Sequence, residues 1–461
     1  MDTYKKSPSV RLTDFNTFLV SLVCLLCIFG QPNGLSLLLT FYNVILIFVL
    51  GIAFFYSFRF FNFYISSNLF YFLLFIFLII LWSFFSLIYS PDPLFGLRIL
   101  SSALFKIFLF IIFIVFINSH YVFNQVIKVI SIAGVFFAIS GLILTVLVVS
   151  KTIEPSMLIG SESVTKDLDY SQNLYYYNGL GFVKAASSVI DLVLPRLQSF
   201  FMEPGYFAFF MESSVFLSLI LLENTKNKKW RILIVVGIVL QILSFLLSLS
   251  AAGAFCLIVG YFFYIKYSKN ITFFNALIRF FKPILTYGLI IGIILFLIEK
   301  DLIMALFKAL FLDHFSVDKG RSSADDRADA FSMGLKAFTD HPILGIGFNQ
   351  MRIVSNGLGT NNSFLTIAAE LGMVGLVLYL SLLWFLRKVV LELSIRVKNL
   401  DEGTRKTFGA LTATIVAQTL HTAFIDVNWS FHYWISLGLV CAYLQIIQKD
   451  SLRDKALSIT L

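Results

Sequence analysis

Charge is scarce in this chain. Asp, Glu, Lys and Arg make up 13% of the 461 residues, whereas 59% of the residues are hydrophobic and 53 are phenylalanine. Because a soluble domain carries roughly 25% charged residues, about half of the expected charge is missing. The composition therefore excludes an ordinary soluble protein.

Motifs for cofactor, nucleotide and metal chemistry are also missing. The sequence has no Walker loop, and the stretch GIGFNQ lacks the third glycine and the βαβ context of a dinucleotide fingerprint. The four cysteines lie in apolar stretches, so we interpret them, including the Cys24–Cys27 pair, as small hydrophobic residues. No His, Cys or carboxylate cluster has the spacing of metal ligands, and no serine triad is supported. We expect no metal and no cofactor.

What the chain does contain is a series of long apolar runs. Runs of about 20 residues are typical of membrane-spanning helices. The sequence predicts an all-α polytopic membrane protein in which residues 1–461 form a single integral membrane domain without internal repeats. The first run lacks a cleavage pattern, so we interpret it as a retained anchor. We predict about 12 spans, at 15–30, 35–56, 69–90, 98–118, 127–149, 199–222, 232–249, 251–266, 283–298, 363–386, 407–424 and 430–447.

The basic residues alternate between successive short loops. Loops 31–34 and 425–429 carry no Lys or Arg, and loop 90–98 carries only Arg98, whereas the segment 226–231 carries four basic residues. The positive-inside rule then places both termini in the cytoplasm. The net charge of +9 is thus mainly a topology signal, and we expect no nucleic-acid partner.

Two segments are much longer than the other loops, and both fall on the outer side. The first, 150–197, is polar and rich in tyrosine, and the second is 299–361. Within the second, Ser323 and Asp326 predict the start of a helix in which Phe331, Leu335 and Phe338 recur at helical spacing. Because long loops with structure of their own are usually functional, we expect any chemistry on the outer face.

Polar residues in and near these loops are candidates for a functional site. The planar fork of arginine binds two oxygens of a diphosphate, which makes Arg196, Arg321 and Arg327 candidates. Glu203 lies at the outer end of a span, where partial desolvation favours a role as a base. The alternatives are solvated ion pairs for the arginines, a water-exposed position for Glu203 and a turn position for His341.

A polar, glycine-punctuated stretch covers residues 341–375. It begins at His341-Pro342, passes through Asn361-Asn362-Ser363 and continues directly into a predicted span that carries Glu370. Polar groups at such depth in a membrane usually mark a site.

The order HP, LGxG, NNSF and ELGxxG in this stretch resembles the O-antigen ligase/polymerase superfamily. The segment RLQSFFMEPGYFA, Arg196–Ala208, is similar to a second motif of that superfamily. The resemblance implies an enzyme of the bacterial cytoplasmic (inner) membrane that uses polyprenyl-diphosphate-linked sugars as donors. It transfers them to an acceptor hydroxyl on the outer face. The polyprenyl diphosphate is the leaving group. Membrane lipid and a chain-length regulator are further candidate partners.

The resemblance also implies roles for individual residues. Arg196, Arg321 and Arg327 would neutralise the diphosphate, and Glu203 would orient or deprotonate the acceptor hydroxyl. The expected catalytic residues are Glu203, Arg196 and Arg321, and the expected substrate-binding residues are Arg327, His341, Asn361, Asn362 and Arg98. The mechanism expected is metal-free.

One residue position distinguishes ligases from polymerases within this superfamily. Ligases have a motif in which His is followed by Asn, Ser or Gln, then by nine further residues, and then by GxxG. In this chain, Asn362 and the GxxG that begins at Gly372 have this spacing, but Asn361 occupies the position of the His. Since an amide cannot accept a proton as imidazole does, a polymerase is favoured over a ligase. A flippase or transporter would need several ionisable groups at the midplane, which the mostly uncharged spans lack. A non-enzymatic scaffold is a further alternative. The destination of the polymer, whether lipopolysaccharide, capsule or exopolysaccharide, is open.

Overall fold

The computed structural model describes residues 17, 19–24, 66–150, 197, 199, 201, 204–282, 286, 323–355, 359–426 and 430–460. Within these ranges the chain is helical and contains no strand. The helices, in chain order, are α1 (Ser67–Ser86), α2 (Pro93–Phe116), α3 (His120–Val149), α4 (Pro204–Asn224), α5 (Lys228–Leu247), α6 (Ala251–Ser268), α7 (Ser323–Asp340), α8 (Met351–Val354), α9 (Ser363–Val397), α10 (Glu402–His421) and α11 (Phe431–Thr460). A short 3-10 turn, Leu87–Tyr89, extends α1.

Seven of the described helices are long and apolar enough to cross a membrane, namely α1 to α6 and α9. This confirms an all-α polytopic membrane protein. α10 and α11 are present where spans 407–424 and 430–447 were predicted, but they are less apolar than the seven. The predicted span 35–56 and most of the spans 15–30 and 283–298 lie outside the described residues, so the count of twelve stays a prediction.

Short polar residues begin these helices at the places where the apolar runs start. Ser66, Asp92, Asn227, Ser250 and Asp401 each accept a backbone N–H of the first turn with the side-chain oxygen. Such caps satisfy donors that would otherwise lack a partner at the start of a helix. They fix where each helix enters the bundle, and Ser250 ends the tight turn between α5 and α6.

Helix α4 lies at the centre of the bundle. Every residue from Phe207 to Ser218 is buried, and α4 packs against α3, α5, α6 and α10. A helix that is apolar and buried on all sides belongs in the interior, whereas α5 exposes one face of Ile, Leu and Val, as a lipid-facing helix would. The polar side chains between Phe207 and Ser218 on α4 are therefore held away from both lipid and water.

The contacts divide the loops into two ends of the bundle. At one end, Gln350 bonds to Asp92 and the start of α9 bonds to residue 422; we call this the loop end. At the other, which we call the basic end, Lys406 bonds to Glu223. This is the alternation that the basic residues predicted. Which end faces the cytoplasm stays a prediction.

Helix α7 confirms the helix predicted within the second long loop, but its packing differs from the apolar spacing noted in the sequence. The small residues Ala330, Gly334 and Ala337 are buried against α9 and the loop that follows α7, while Phe331 and Leu335 are about half exposed. A Cβ on Gly334 would lie 2.6 Å from Thr360 Cγ2, so small residues allow the close approach.

Candidate functional site

The glycine-rich loop 341–350 folds back onto α9 and bonds to its backbone. Ile346 N–H donates to the carbonyl of Ala369 at 2.9 Å, and Gly347 N–H donates to the carbonyl of Glu370 at 2.9 Å. In return, Met373 N–H donates to the carbonyl of Pro342 at 2.8 Å. The loop and the helix thus exchange bonds in both directions, as neighbouring strands do.

These bonds are available because α9 is broken at Gly372. Its backbone angles, φ 66° and ψ −165°, lie outside the helical region in a region that is essentially restricted to glycine. Gly345, opposite the break, also has a positive φ, and a Cβ there would lie 2.3 Å from the carbonyl carbon of Glu370. The two glycines let two backbones meet where side chains would separate them.

The buried carboxylate of Glu370 accepts hydrogen bonds from the backbone of this loop. Asn349 N–H donates to its Oε2 at 2.8 Å and Met351 N–H donates to its Oε1 at 3.1 Å. Glu370 is only 5% exposed, and a buried charge is tolerated when its oxygens accept such bonds. The deep carboxylate noted in the sequence is buried as expected, and its oxygens are engaged by the loop.

Helix α1 holds the same loop from the other side. Phe348 N–H donates to Ser86 Oγ at 2.9 Å, and Tyr89 Oη donates to the carbonyl of Leu344 at 2.6 Å. Trp82 Nε1 donates at 3.0 Å to the carbonyl of Leu371, next to the helix break at Gly372. The loop is therefore fixed between α1 and α9, and with it the segment that leads into the Asn361-Asn362 motif.

Replacing Glu370 by glutamine is expected to lower the free energy of unfolding by about 1–3 kcal/mol, because the amide can accept only one of the two N–H bonds and turns donors toward the other. The thermal unfolding midpoint of detergent-purified protein measures this. Glu402→Gln is the matched control, since Glu402 is exposed and its pair with Lys406 contributes little. Equal shifts in the two variants would contradict the structural role of Glu370.

A group of hydroxyls and one carboxylate surrounds the start of α9. Asn362 caps the helix, with Oδ1 accepting from Leu365 N–H at 3.0 Å, and its Nδ2 donates to the carbonyl of Ala423 at 2.9 Å. Ser363 Oγ and Thr366 Oγ1 each donate to the carboxylate of Asp426 at 3.4 Å. We call Asn362, Ser363, Thr366 and Asp426 the polar cluster.

Burial raises the pKa of Asp426 above the usual aspartate range. The positive charge of Arg352 and the bonds from Ser363 and Thr366 act in the opposite direction. Asp426 is thus a partly buried carboxylate at the loop end, with a positive group near it and hydroxyls in contact. Sequence reasoning missed it, because loop 425–429 was read only for its lack of basic residues.

The polar cluster also joins the two motifs that were recognised in the sequence. Tyr206, at the start of α4, donates through its hydroxyl to the backbone carbonyl of Asp426 at 3.3 Å. A Cβ on Gly205 would lie 3.1 Å from Ile425, so the chain after Glu203-Pro204 packs closely on the same turn. The described end of the Arg196–Ala208 segment therefore lies beside the start of α9.

The sequence-predicted residues are distributed as follows. Arg196, Glu203 and Arg321 lie outside the described residues. Arg98 on α2, Arg327 on α7, His341 at the end of α7 and Asn361 before α9 are exposed at the loop end. Asn362 is engaged as a helix cap, and its role in substrate binding stays a prediction, as do the roles of the other residues.

One group among the described residues has the composition of a metal site. Glu212 of α4, Cys256 of α6 and His421 of α10 are buried, and one ligand atom of each lies within 4.8 Å of the other two. His421 Nδ1 is 2.6 Å from Glu212 Oε1. Because the three residues come from three helices far apart in sequence, no local spacing indicated them.

Residues 206–380 match the family model described as O-antigen ligase. The matched region begins just after Glu203-Pro204-Gly205 and contains α4, the loop that docks on Glu370 and the helix break at Gly372. A search of curated proteins finds no relative of this chain.

Proposed function

We propose that the chain is a polysaccharide polymerase of the O-antigen ligase/polymerase superfamily, and the family match over residues 206–380 supports the superfamily. It transfers polyprenyl-diphosphate-linked oligosaccharide repeat units onto one another at the outer face of the cytoplasmic membrane. Members of the family are glycosyl-transferring membrane enzymes. The donor and the side of the membrane are parts of this proposal.

The observation that carries the polymerase assignment is Asn361. It stands where a ligase has histidine, directly before the cap of α9, and it is exposed with a left-handed φ of 52°. Asparagine is one of the residues that tolerate this conformation. An amide in this place can donate and accept hydrogen bonds to a sugar but cannot take up a proton at neutral pH, so the proposal assigns activation of the acceptor to a carboxylate.

The proposed transfer is metal-independent and relies on charge and position. Arg196, Arg321 and Arg327 stabilise the negative charge that develops on the leaving diphosphate, and Glu203 orients or deprotonates the acceptor hydroxyl. The anomeric carbon passes through an oxocarbenium-like state, as in glycoside hydrolysis. Support comes from the polar cluster, because it joins the start of α4, one residue after Glu203, to the start of α9.

Binding also contributes to the proposed rate. Both reactants are anchored in the membrane through a lipid and are therefore held at the same depth. This brings the reacting groups close to each other and favours the transfer. Arg98, His341, Asn361 and Asn362 line up at the loop end as candidates for the sugar and diphosphate contacts. Arg98, His341 and Asn361 are exposed at that end, which is compatible with a substrate that arrives from the membrane surface.

A ligase is the second candidate function. It is favoured by the spacing from Asn362 to Gly372 and Gly375 and by the description of the matched family. The position of Asn361 argues against it. The family match gives no support to a flippase.

Deletion of the gene in its native host distinguishes the three. A polymerase is expected to leave single repeat units on the lipid carrier, because units are still made and translocated but not joined. Extracted lipid-linked glycans, separated by size and mass, measure this. Free polymer without its final lipid would instead identify a ligase, and repeat units retained on the cytoplasmic face would identify a flippase.

A further inference from the structure

A fully buried histidine–carboxylate–thiol group lies between three helices near the loop end. Glu212 and Cys256 are 0% exposed and His421 is 1% exposed. His421 is the last residue of α10, Cys256 lies in the second turn of α6, and Glu212 lies in the third turn of α4. The three side chains therefore converge at a similar depth from the same end of the bundle.

Two oxygens in this region lack a hydrogen-bond partner among the described residues. Glu212 uses Oε1 toward His421, but its Oε2 is buried without a partner, and so is Oε1 of Gln418, which lies one turn before His421 on α10. Gln418 Nε2 contacts the carbonyl of Phe209 at 3.4 Å, one turn before Glu212 on α4. Buried oxygens without partners are uncommon in proteins and call for an explanation.

We propose that Glu212, Cys256 and His421 bind one structural zinc ion, with the unpartnered Gln418 Oε1 as the candidate for a fourth ligand. Thiolate, imidazole and carboxylate are the ligands that zinc takes in proteins, usually with four ligands in tetrahedral geometry. Zinc bonds of about 2.0–2.3 Å require ligand atoms closer to one another than the 4.8 Å limit within which these atoms lie. The three side chains must therefore shift when the ion binds.

Charge favours a divalent ion over an empty site. A carboxylate and a thiolate together carry two negative charges, which one Zn²⁺ balances, and neutral imidazole adds none. The buried complex is then neutral overall, whereas an isolated buried carboxylate is costly. Binding of the ion would displace the proton that His421 Nδ1 and Glu212 Oε1 share.

The site has a structural rather than catalytic position. It is closed by the buried core around α4, and the residue after His421, Thr422, begins the turn that leads to Asp426. Zinc at this place would fasten α4, α6 and α10 beneath the polar cluster. The proposed transfer is not routed through the ion, so the inference is independent of the polymerase assignment.

The test is the metal content of the full-length protein. Protein expressed in zinc-supplemented medium and purified in detergent without chelator is expected to contain one zinc per chain by inductively coupled plasma mass spectrometry. After exchange with cobalt(II), the wild type is expected to show the thiolate-to-cobalt charge-transfer absorption. A wild-type protein that is folded but contains no stoichiometric zinc, and that gives no such absorption, overturns the proposal.

Variants assign the ligands. Cys256→Ala and Glu212→Gln are expected to lose both the zinc and the cobalt absorption, whereas Cys441→Ala, which removes another buried free cysteine, is expected to keep both. Retention of the cobalt–thiolate absorption in Cys256→Ala would refute the site. If a ligand variant does not fold, the wild-type measurement alone still decides, and neither readout depends on transferase activity.

Discussion

Gly372→Ala is expected to lower the free energy of unfolding by about 2–6 kcal/mol, as the sum of backbone strain of about 1–3 kcal/mol and overpacking of about 1–3 kcal/mol. The strain arises because φ is 66° at this break in α9. The overpacking arises because a Cβ would lie 2.1 Å from the carbonyl oxygen of Ile343 and 2.7 Å from the amide nitrogen of Gly345. Both are backbone atoms, so no side-chain rotation relieves the contact.

The matched control is Gly359→Ala, two residues before the Asn361-Asn362 motif. A Cβ at Gly359 meets no atom of the residues that the structure describes within 4 Å, so this variant is expected to keep the wild-type thermal unfolding midpoint in detergent. Because a loss of this size is a large part of typical protein stability, Gly372→Ala is expected to express poorly or to unfold at a clearly lower temperature. Equal midpoints for the two variants would show that the loop does not pack on the helix break as described.

The loop that docks on Glu370 shows how far its sequence could be interpreted. Its glycines indicated turns, and Glu370 indicated a costly carboxylate inside a span. What could not be predicted is that the carboxylate accepts the N–H groups of Asn349 and Met351, about 20 residues earlier in the chain. This pairing depends on the chain reversal at Gly345 and on the break in α9 at Gly372. Helical periodicity in the sequence predicts neither of these features.

Helix α7 was predictable as a helix but not in its orientation. Its large apolar residues, Phe331 and Leu335, suggest a buried face at helical spacing, yet the helix packs through Ala330, Gly334 and Ala337. Against a closely approaching backbone, small residues pack better than large ones, while large apolar residues can remain exposed at a membrane boundary. Periodicity alone does not distinguish these two faces.

Residues from separate helices were the least predictable. Asp426, Glu212 and His421 stand in segments that the sequence identified only as a short loop or as parts of spans. Their roles depend on which helices are neighbours: α4 contacts α10, and the turn after α10 contacts the start of α9. Apolar composition predicts that helices lie in a membrane, but it does not say which of them touch.

Asp426→Ala is expected to reduce chain extension about 100-fold, the effect that a displacement of about 1 Å can have on a positioned catalytic group. Asp426 is a positioning residue in this proposal. Its carboxylate holds Ser363 and Thr366 at the start of α9, and its backbone carbonyl accepts from Tyr206, three residues after Glu203. Without the carboxylate, Glu203 and the Asn361-Asn362 segment are expected to lose their relative position. Chain extension in membranes, supplied with lipid-linked repeat units, measures the loss.

The pH dependence separates this role from a general loss of stability. The ionised carboxylate accepts both hydroxyl bonds, whereas the protonated form accepts fewer, so activity is expected to fall as the pH decreases through the pKa of Asp426. Burial raises that pKa, and the acid limb should therefore lie at a higher pH than for an ordinary aspartate. Asp426→Asn, which cannot ionise but keeps one acceptor oxygen, is expected to retain part of the activity and to lack this limb. Asp450→Asn, at an exposed carboxylate beside His120 at the basic end, is expected to leave rate and profile unchanged. An unaltered acid limb in Asp426→Asn would remove Asp426 from the site and leave Glu203 as the carboxylate on which the transfer depends.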